Sequence, residues 1–453
     1  LQSLSNSQQT TEKLSDIMNG GIFNRSENRK TLHHATRSPK PNTLYQKEQQ
    51  AVDDFSDKVH NQEVKSYSGK PFQNVVYIGI GGSNLGPYAL YTALEHQYSV
   101  KNNTYHLKCT FISNLDPDHT YTQLADIDFE TSLFIFASKS GSTMETRSNF
   151  KLMKEIAEQK GIPLEKFEKQ LVFVLSKQSS FETPENAVIF HIDDAISGRF
   201  SATSSIGGVL VSLCFGKDVF AEVLSGAADM DAHALNPNIK ENIPLLASLI
   251  DVWEHSFLNL SEKAVIPYSQ ALSEFPSFIQ QLICESNGKR VNIDQTPISY
   301  NTAPMIICGQ GTNSQHTIFQ KIYQGSTVIP VHFIGIQEKL SKDPGYQWAA
   351  KKLNANLIAQ IKTLALGNEE TNPNKKIQGN IPSTLLLIKR VSPYHLGGLI
   401  SIYENIATFQ GLLWNLNPFD QEGVQHSKKI SVDLLNQEEN SKLAEHLLSM
   451  VNT

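Results

Sequence analysis

Short apolar runs of strand length alternate along this chain with longer segments of helical period, and that alternation admits few architectures. The runs Val75–Ile80, Leu107–Ile112, Leu133–Ala137, Leu171–Leu175 and Val188–His191 are apolar almost throughout rather than at every second position. Strands of that kind are covered on both faces, as in a parallel sheet with helices above and below it. Pro87–Glu95 and Thr143–Glu158 supply such helices. The pattern recurs with Ala264–Tyr268, Met305–Cys308, Thr327–Ile334 and Thr384–Ile388, separated by helical segments at Ser277–Asn287, Ser314–Gln324 and Gln347–Leu364. The predicted fold class is therefore α/β, with two domains, each a parallel sheet flanked by helices, and helical extensions at both ends. A chain of 453 residues is also longer than one core usually serves. The expected division is an extension at 1–45, a first α/β domain at 46–225, a second at 240–420 and a C-terminal segment at 421–453, with the boundary near Leu224–Ile243. The polar stretch from Gly367 to Gly379 reads as a surface loop.

Charge narrows the partners. Lys and Arg number 39 against 45 Asp and Glu, a formal charge of -6, and no basic block is present to neutralise a polyphosphate backbone. Nucleic acid is excluded as a partner on that ground. A site for an anion in an acidic chain must instead be built from local dipoles and a few placed cations. The four cysteines (Cys109, Cys214, Cys284, Cys308) show no CxxC pair and no ligand-like spacing to His, so they read as buried free thiols, with no metal site. Residues 1–19 are polar, and no apolar run approaches the ~18 residues of a membrane span, so a cytoplasmic protein without a membrane partner is expected.

Two strand-to-helix turns carry the anion chemistry. Gly79-Ile80-Gly81-Gly82-Ser83-Asn84-Leu85-Gly86 directly follows an expected strand and precedes an expected helix, so its amides and the Ser83 hydroxyl can face an anion at a helix N-terminus. It is not a dinucleotide fingerprint, because Asn84 stands where the third glycine is required, and Pro87 stands where a P-loop needs Lys. Ser138-Lys139-Ser140-Gly141-Ser142-Thr143 repeats the design after another strand, with hydroxyls and one ammonium. Each turn alone could be a helix cap. Together they point to a phosphosugar pocket at the carboxyl ends of the strands. A third segment, Gln280 to Lys289, ends a helix at Gly288 and puts Gln281 and Glu285, four apart, on one face, where a carboxylate among apolar neighbours can serve as a base.

The two turns resemble the sugar isomerase (SIS) domain, whose Ser/Thr loops hold phosphate. Gln281-Leu-Ile-Cys-Glu285-Ser-Asn-Gly-Lys289 resembles the QxxxESNGK signature of the phosphoglucose isomerase family, and further segments follow in the family's order. Ser26–Arg29 with Leu32-His33 and Ala35–Arg37 is similar to its TExR-LH-ALR stretch. Gly198–Ser201 with Ser204–Gly207 is similar to GRYS–SxxG. Gly311–His316 with Gln324-Gly325, Gly379–Ser383, and Phe419–Gln421 with Gly423, Val424 and Lys428 resemble GTNGQH, GNxPS and FDQWGVELGK. Ser314, Glu422 and Ser427 depart from those patterns, standing for Gly, Trp and Gly, and Asn405 stands where His is usual. If the turn at Ser314 required a positive φ, serine would be strained there and His316 displaced.

The resemblance implies an aldose-ketose isomerase that interconverts glucose 6-phosphate and fructose 6-phosphate in glycolysis and gluconeogenesis, with no metal and no cofactor. It implies that His316 and Lys428 open the sugar ring, that Glu285 moves the proton between C2 and C1 through a cis-enediol, and that Arg199 faces the developing oxyanion. Gly82, Ser83, Ser138, Lys139, Ser140, Thr143, Gly198, Gln281 and Gln421 would hold the substrate. It also implies a homodimer with His316 donated across the interface. The competing readings are a non-catalytic phosphosugar sensor, which would not need Glu285, His316 and Lys428, and a broader isomerase that also accepts mannose 6-phosphate.

Overall fold

Nine parallel strands form two sheets in a computed structural model of the protein, which describes residues 1–38, 44–100, 107–436 and 441–451. The first sheet contains β1 (Asn74–Ile78), β2 (Lys108–Ile112), β3 (Ser132–Ala137), β4 (Leu171–Leu175) and β5 (Val188–His191), in the order β2-β1-β3-β4-β5. The second contains β6 (Glu262–Pro267), β7 (Met305–Cys308), β8 (Val331–Ile336) and β9 (Ser383–Ile388), in the order β7-β6-β8-β9. Each sheet therefore begins with a strand that lies between its second and third, Val76 facing Thr110 and Phe134, and Ala264 facing Ile307 and Val331. Such a reversal of strand order opens a crevice at the strands' carboxyl ends.

Every residue of β3 and β4 is buried, as uninterrupted apolar runs require, whereas β9 on the edge of the second sheet leaves Leu385 and Leu387 exposed. Two expectations shift. The run expected to pair from Thr327 does so only from Val331, because Pro330 has no N–H for the ladder. The helix expected over Ser314–Gln324 is split into a 3₁₀ turn (Asn313–His316) and a helix (Phe319–Gln324). Lys217–Ala234 is one continuous helix, which the chain leaves at Leu235.

That helix crosses the long helix Pro393–Leu413 at glycines. A Cβ on Gly226 would come within 1.8 Å of the Tyr394 carbonyl oxygen, and one on Gly397 within 1.8 Å of the Val223 carbonyl oxygen. Only hydrogen at both positions allows so close a crossing. Apart from Tyr394, His395 and Gly398, helix Pro393–Leu413 is buried along its length. It packs against helices Thr10–Met18, Lys217–Ala234, Ile243–Val252 and Phe275–Asn287, and so ties the two sheets' helical layers together.

The cysteines correct the sequence reading: all four are free, but only Cys214 is buried, Cys109 and Cys284 are half-buried, and Cys308 is exposed at the end of edge strand β7. An edge strand is covered along one side only, so an apolar run there does not guarantee burial. No helix among the described residues is long and apolar enough to cross a membrane. Residues 437–440 and 452–453 of the expected C-terminal segment lie outside the described residues.

Candidate active site

The first loop leaves β1 through Ile80 in extended conformation, turns at Gly81 (φ 58°) and closes a 3₁₀ turn over Gly81–Ser83 before helix Leu85–Val100. The Tyr77 hydroxyl, fully buried, donates to the Ser83 carbonyl at 2.8 Å and fixes the loop from below. Gly82 abuts Gly198: a Cβ on Gly82 would lie 2.1 Å from the Gly198 carbonyl carbon and 2.4 Å from the Arg199 nitrogen. The side-chain amide of Gln281 lies beside Gly81, where an added Cβ would meet its Nε2 at 3.3 Å. The Gln281 Oε1 is buried without a hydrogen-bond partner among the described residues, and so is Asn84 Oδ1 at the end of the same loop.

The second loop leaves β3 and turns at Gly141 (φ 65°) into helix Met144–Gln159. Ser138 Oγ donates to Thr143 Oγ1 at 3.2 Å, and Ser140 Oγ accepts from the Ser142 amide at 3.2 Å. Lys139 Nζ donates to the carbonyls of Asp194 and Ile196 at 2.7 and 2.8 Å, which ties this loop to the turn before Gly198. Burial pushes the Lys139 ammonium down from its ordinary value, opposed by Asp194. Both loops thus leave adjacent strands, β1 and β3, on the reversal of the first sheet.

Arg199, 3% exposed, stands where the helix of the second sheet meets the first loop. Its Nε donates to Ser286 Oγ at 2.7 Å, one terminal nitrogen to Gln421 Oε1 at 2.9 Å, and the other to the carbonyls of Pro418 and Asp420 at 2.5 and 3.1 Å. Four of the five guanidinium donors are thereby used. The nitrogen that holds Gln421 has the remaining one, and it lies 3.7 Å from Glu285 Oε2. Burial pushes Arg199 down, opposed chiefly by Glu285 and then by Asp420. Glu285 itself sits in the last turn of helix Phe275–Asn287, its side chain 27% exposed. The helix ends at Gly288 as expected, and Asn287 Nδ2 anchors that end to the Ala407 carbonyl and Gln410 Oε1. The carboxylate therefore stands on a fixed support beside a buried cation, with an open side.

The structure brings together Gly82, Gly198, Arg199, Gln281, Glu285 and Gln421, and joins Lys139 to the same region. His316 and Lys428 are not joined to that cluster by any hydrogen bond or ion pair among the described residues. His316 is exposed at the end of its 3₁₀ turn, and Lys428 is exposed on helix Gln425–Leu435. The concern over Ser314 is answered: it is buried in the 3₁₀ turn without a positive φ, and its hydroxyl accepts the Gln310 amide at 2.7 Å, closing the loop that presents His316. Sequence reasoning gave no role to Ser286, Lys289 or Asp420, although all three stand in the quoted motifs. Their signal was present only as motif letters, because a residue that holds another residue in place has no pattern of its own. No group of three or more His, Cys, Asp or Glu side chains that could hold a metal is found among the described residues.

Along nearly its whole length the chain is similar to proteins of one kind. A family model described as phosphoglucose isomerase matches residues 1–452. A glucose-6-phosphate isomerase from Treponema denticola is 41% identical over 449 residues, covering 96% of this chain and 84% of that protein. One from Chlamydia trachomatis serovar L2 is 37% identical over 446 residues, with 96% of this chain and 83% of that protein covered. The crystal structure of a glucose-6-phosphate isomerase from Chlamydia trachomatis D/UW-3/Cx superposes with a TM-score of 0.89 at 35% identity, covering 100% of this chain and 88% of that one.

Proposed function

The chain belongs to the phosphoglucose isomerase family, and from that premise we propose that it is an aldose-ketose isomerase interconverting glucose 6-phosphate and fructose 6-phosphate. The observation that carries this reading is the Glu285 carboxylate, unencumbered by any hydrogen bond among the described residues, 3.7 Å from a buried guanidinium with one donor to spare.

The reaction needs a proton removed from C2 and returned to C1, with negative charge developing on the oxygen between those events. Glu285 is the base that carries the proton, through a cis-enediol. The free N–H of Arg199 is the preorganised donor for the oxygen, already desolvated and so needing no reorganisation when charge appears. The phosphate binds at the other end, to the amides and hydroxyls of the Gly82–Ser83 and Ser138–Thr143 loops. Because that end does not react, its binding energy orients C1 and C2 against Glu285. Lys139 acts in this scheme as a strut for its loop and as a nearby positive charge, because its ammonium is held by two carbonyls.

Ring opening requires an acid at the ring oxygen and a group for the C1 hydroxyl proton. His316 and Lys428 take these roles in a homodimer in which His316 reaches the partner's site. The exposure of His316 supports this, as do the exposed Leu443, Leu447 and Met450 of helix Lys442–Val451, apolar surface that a second subunit would cover. The isomerisation runs both ways, which suits a place in glycolysis and in gluconeogenesis.

The test is turnover of fructose 6-phosphate in chelator-treated buffer, read through a dehydrogenase specific for the aldose phosphate, beside Glu285→Gln. Turnover by the unsubstituted protein with a loss of ~10²-fold or more in the variant is expected. Binding of the phosphosugar without turnover would replace this reading with the sensor.

A further inference from the structure

The strap from Asn417 to Gln421 delivers Gln421 to the site, yet it belongs to no helix or strand. Four successive carbonyls of this strap accept from side chains. Lys289 Nζ donates to Asn417 at 3.0 Å, Arg199 to Pro418 at 2.5 Å, Ser197 Oγ to Phe419 at 2.9 Å, and both Lys289 and Arg199 to Asp420, at 2.9 and 3.1 Å. Lys289 also pairs with Asp420 Oδ1 at 2.6 Å, while Asp420 Oδ2 accepts from Asn417 Nδ2 and Ser26 Oγ. The strap's shape is thus set largely by two cations rather than by backbone ladders.

One of those cations faces the reacting carboxylate and the other does not. Lys289 is the second residue beyond helix Phe275–Asn287, whose last turn carries Glu285, and its side chain is largely buried. The geometry points to Lys289 as a positioning residue for the isomerase reaction, clamping the Asn417–Gln421 strap to the end of the Glu285 helix so that Gln421 holds the Arg199 guanidinium in line with Glu285. This rests on the isomerase reading for its effect on turnover, although the clamp itself rests on the contacts alone. Without it, Pro418 and Asp420 would still have Arg199, but Asn417 and the Asp420 carboxylate would lose their cation. Gln421 would then be free to pull Arg199 off its line.

The experiment compares the full-length protein with Lys289→Met, Lys289→Arg and the double variant Lys289→Met/Asp420→Asn, which removes both charges so that neither is left buried alone. Expected for Lys289→Met is a kcat lower by about 10- to 100-fold, the scale of a small misplacement at a reacting centre. The KM for fructose 6-phosphate and competition by inorganic phosphate should change by less than about threefold, because the phosphate loops are untouched. Lys289→Arg should restore part of the loss, and the double variant should be no worse than Lys289→Met, as members of one contact are not additive. Amide hydrogen exchange over residues 417–424 should quicken in Lys289→Met. An unchanged kcat, or losses in kcat and phosphate competition that rise together and follow the melting temperature, would overturn the clamp. Should the unsubstituted protein show no isomerase turnover, the functional reading falls by itself. Exchange over 417–424 then decides the clamp, and exchange unaltered by Lys289→Met rejects it.

Discussion

The two sheets share a strand order but contribute to the site in opposite ways. The first sheet presents loops that directly follow adjacent strands, so each group lies within a few residues of the strand that aims it: Ser83 after β1, Ser138 and Thr143 after β3. The second sheet presents Glu285 from the far end of a 13-residue helix, and the support of that helix end comes from Ala407 and Gln410 on a helix more than a hundred residues away. Local placement suits phosphate, which needs many donors and tolerates small displacements. Remote placement suits a base, whose surroundings must be fixed from several sides at once.

If this division holds, substitutions in the two regions should separate binding from chemistry. Glu285→Gln is expected to cost ~10²-fold or more in kcat while competition by inorganic phosphate stays within about twofold. Ser138→Ala and Thr143→Ala should show the reverse emphasis, each raising the KM and the phosphate inhibition constant by about tenfold, the worth of one hydrogen bond to a charged group. Steady-state kinetics with phosphate as competitor checks both. Equal effects on both parameters from both regions would dissolve the comparison.

Gly82 is where the two regions touch, and its substitution sharpens the point. A methyl group there must displace the Gly198–Arg199 backbone, since the three nearest atoms all belong to that peptide. Gly82→Ala should therefore lower kcat/KM by about 10²-fold through both parameters, with a fall in melting temperature, whereas Ser83→Ala should leave stability within about 0.5 kcal/mol. Thermal melts beside kinetics distinguish them.

Much of this was legible in the sequence, for a reason that follows the same division. All nine strands were readable because uninterrupted apolar runs announce parallel strands, and the two loops proposed to hold phosphate were readable because strand, turn and helix start lie within one short window. Glu285 was readable as a candidate base from its helical spacing to Gln281, but its role, and Arg199 and Gln421 as its companions, came only through resemblance to a family, since nothing in their neighbourhood marks them as partners. Lys289 and Asp420 stayed unread because their work is to hold a strap without regular structure. The cysteines misled because an apolar run does not say which side of a sheet, or which edge, is left open.

The proposed dimer gives the next smaller effect. If His316 acts across the interface, Glu285→Gln and His316→Ala proteins mixed after dissociation should recover activity. Half of the random dimers are hybrids, and each hybrid has one site with both groups intact, so recovery should approach about a quarter of the unsubstituted activity. Mixtures no more active than their parents would return His316 to its own subunit and place the whole reaction within one chain.

The smallest expected effect on turnover, under about twofold, is that of a buried cluster binding the N-terminal segment to helix Pro393–Leu413. Arg37 holds Asp231 through two nitrogens at 2.6 and 2.8 Å and Glu404 through the third at 2.5 Å. One guanidinium shared by two buried carboxylates cannot keep both at their ordinary values. Asp231, with the bidentate contact, is held down, while burial pushes Glu404 up to about 7. Since that is above its value of 4.5 in the unfolded chain, the folded protein holds the extra proton between about pH 4.5 and 7, and stability from this group is lost as pH rises through that window. His34 works in the opposite sense: burial lowers it to about 4, so its contribution rises with pH between about 4 and 6.5. The two slopes largely cancel where they overlap. Glu404→Gln removes one of them, so the difference in unfolding free energy between variant and parent should climb by roughly 1.4 kcal/mol per pH unit from pH 4.5 to 7, about 3 kcal/mol in all. Denaturant unfolding at a series of pH values measures it. A difference that stays flat across the window would mean that Glu404 is ionised throughout and that Arg37 serves both carboxylates equally, which would make the join between the N-terminal segment and the central helix an ion-pair network rather than a proton-holding one.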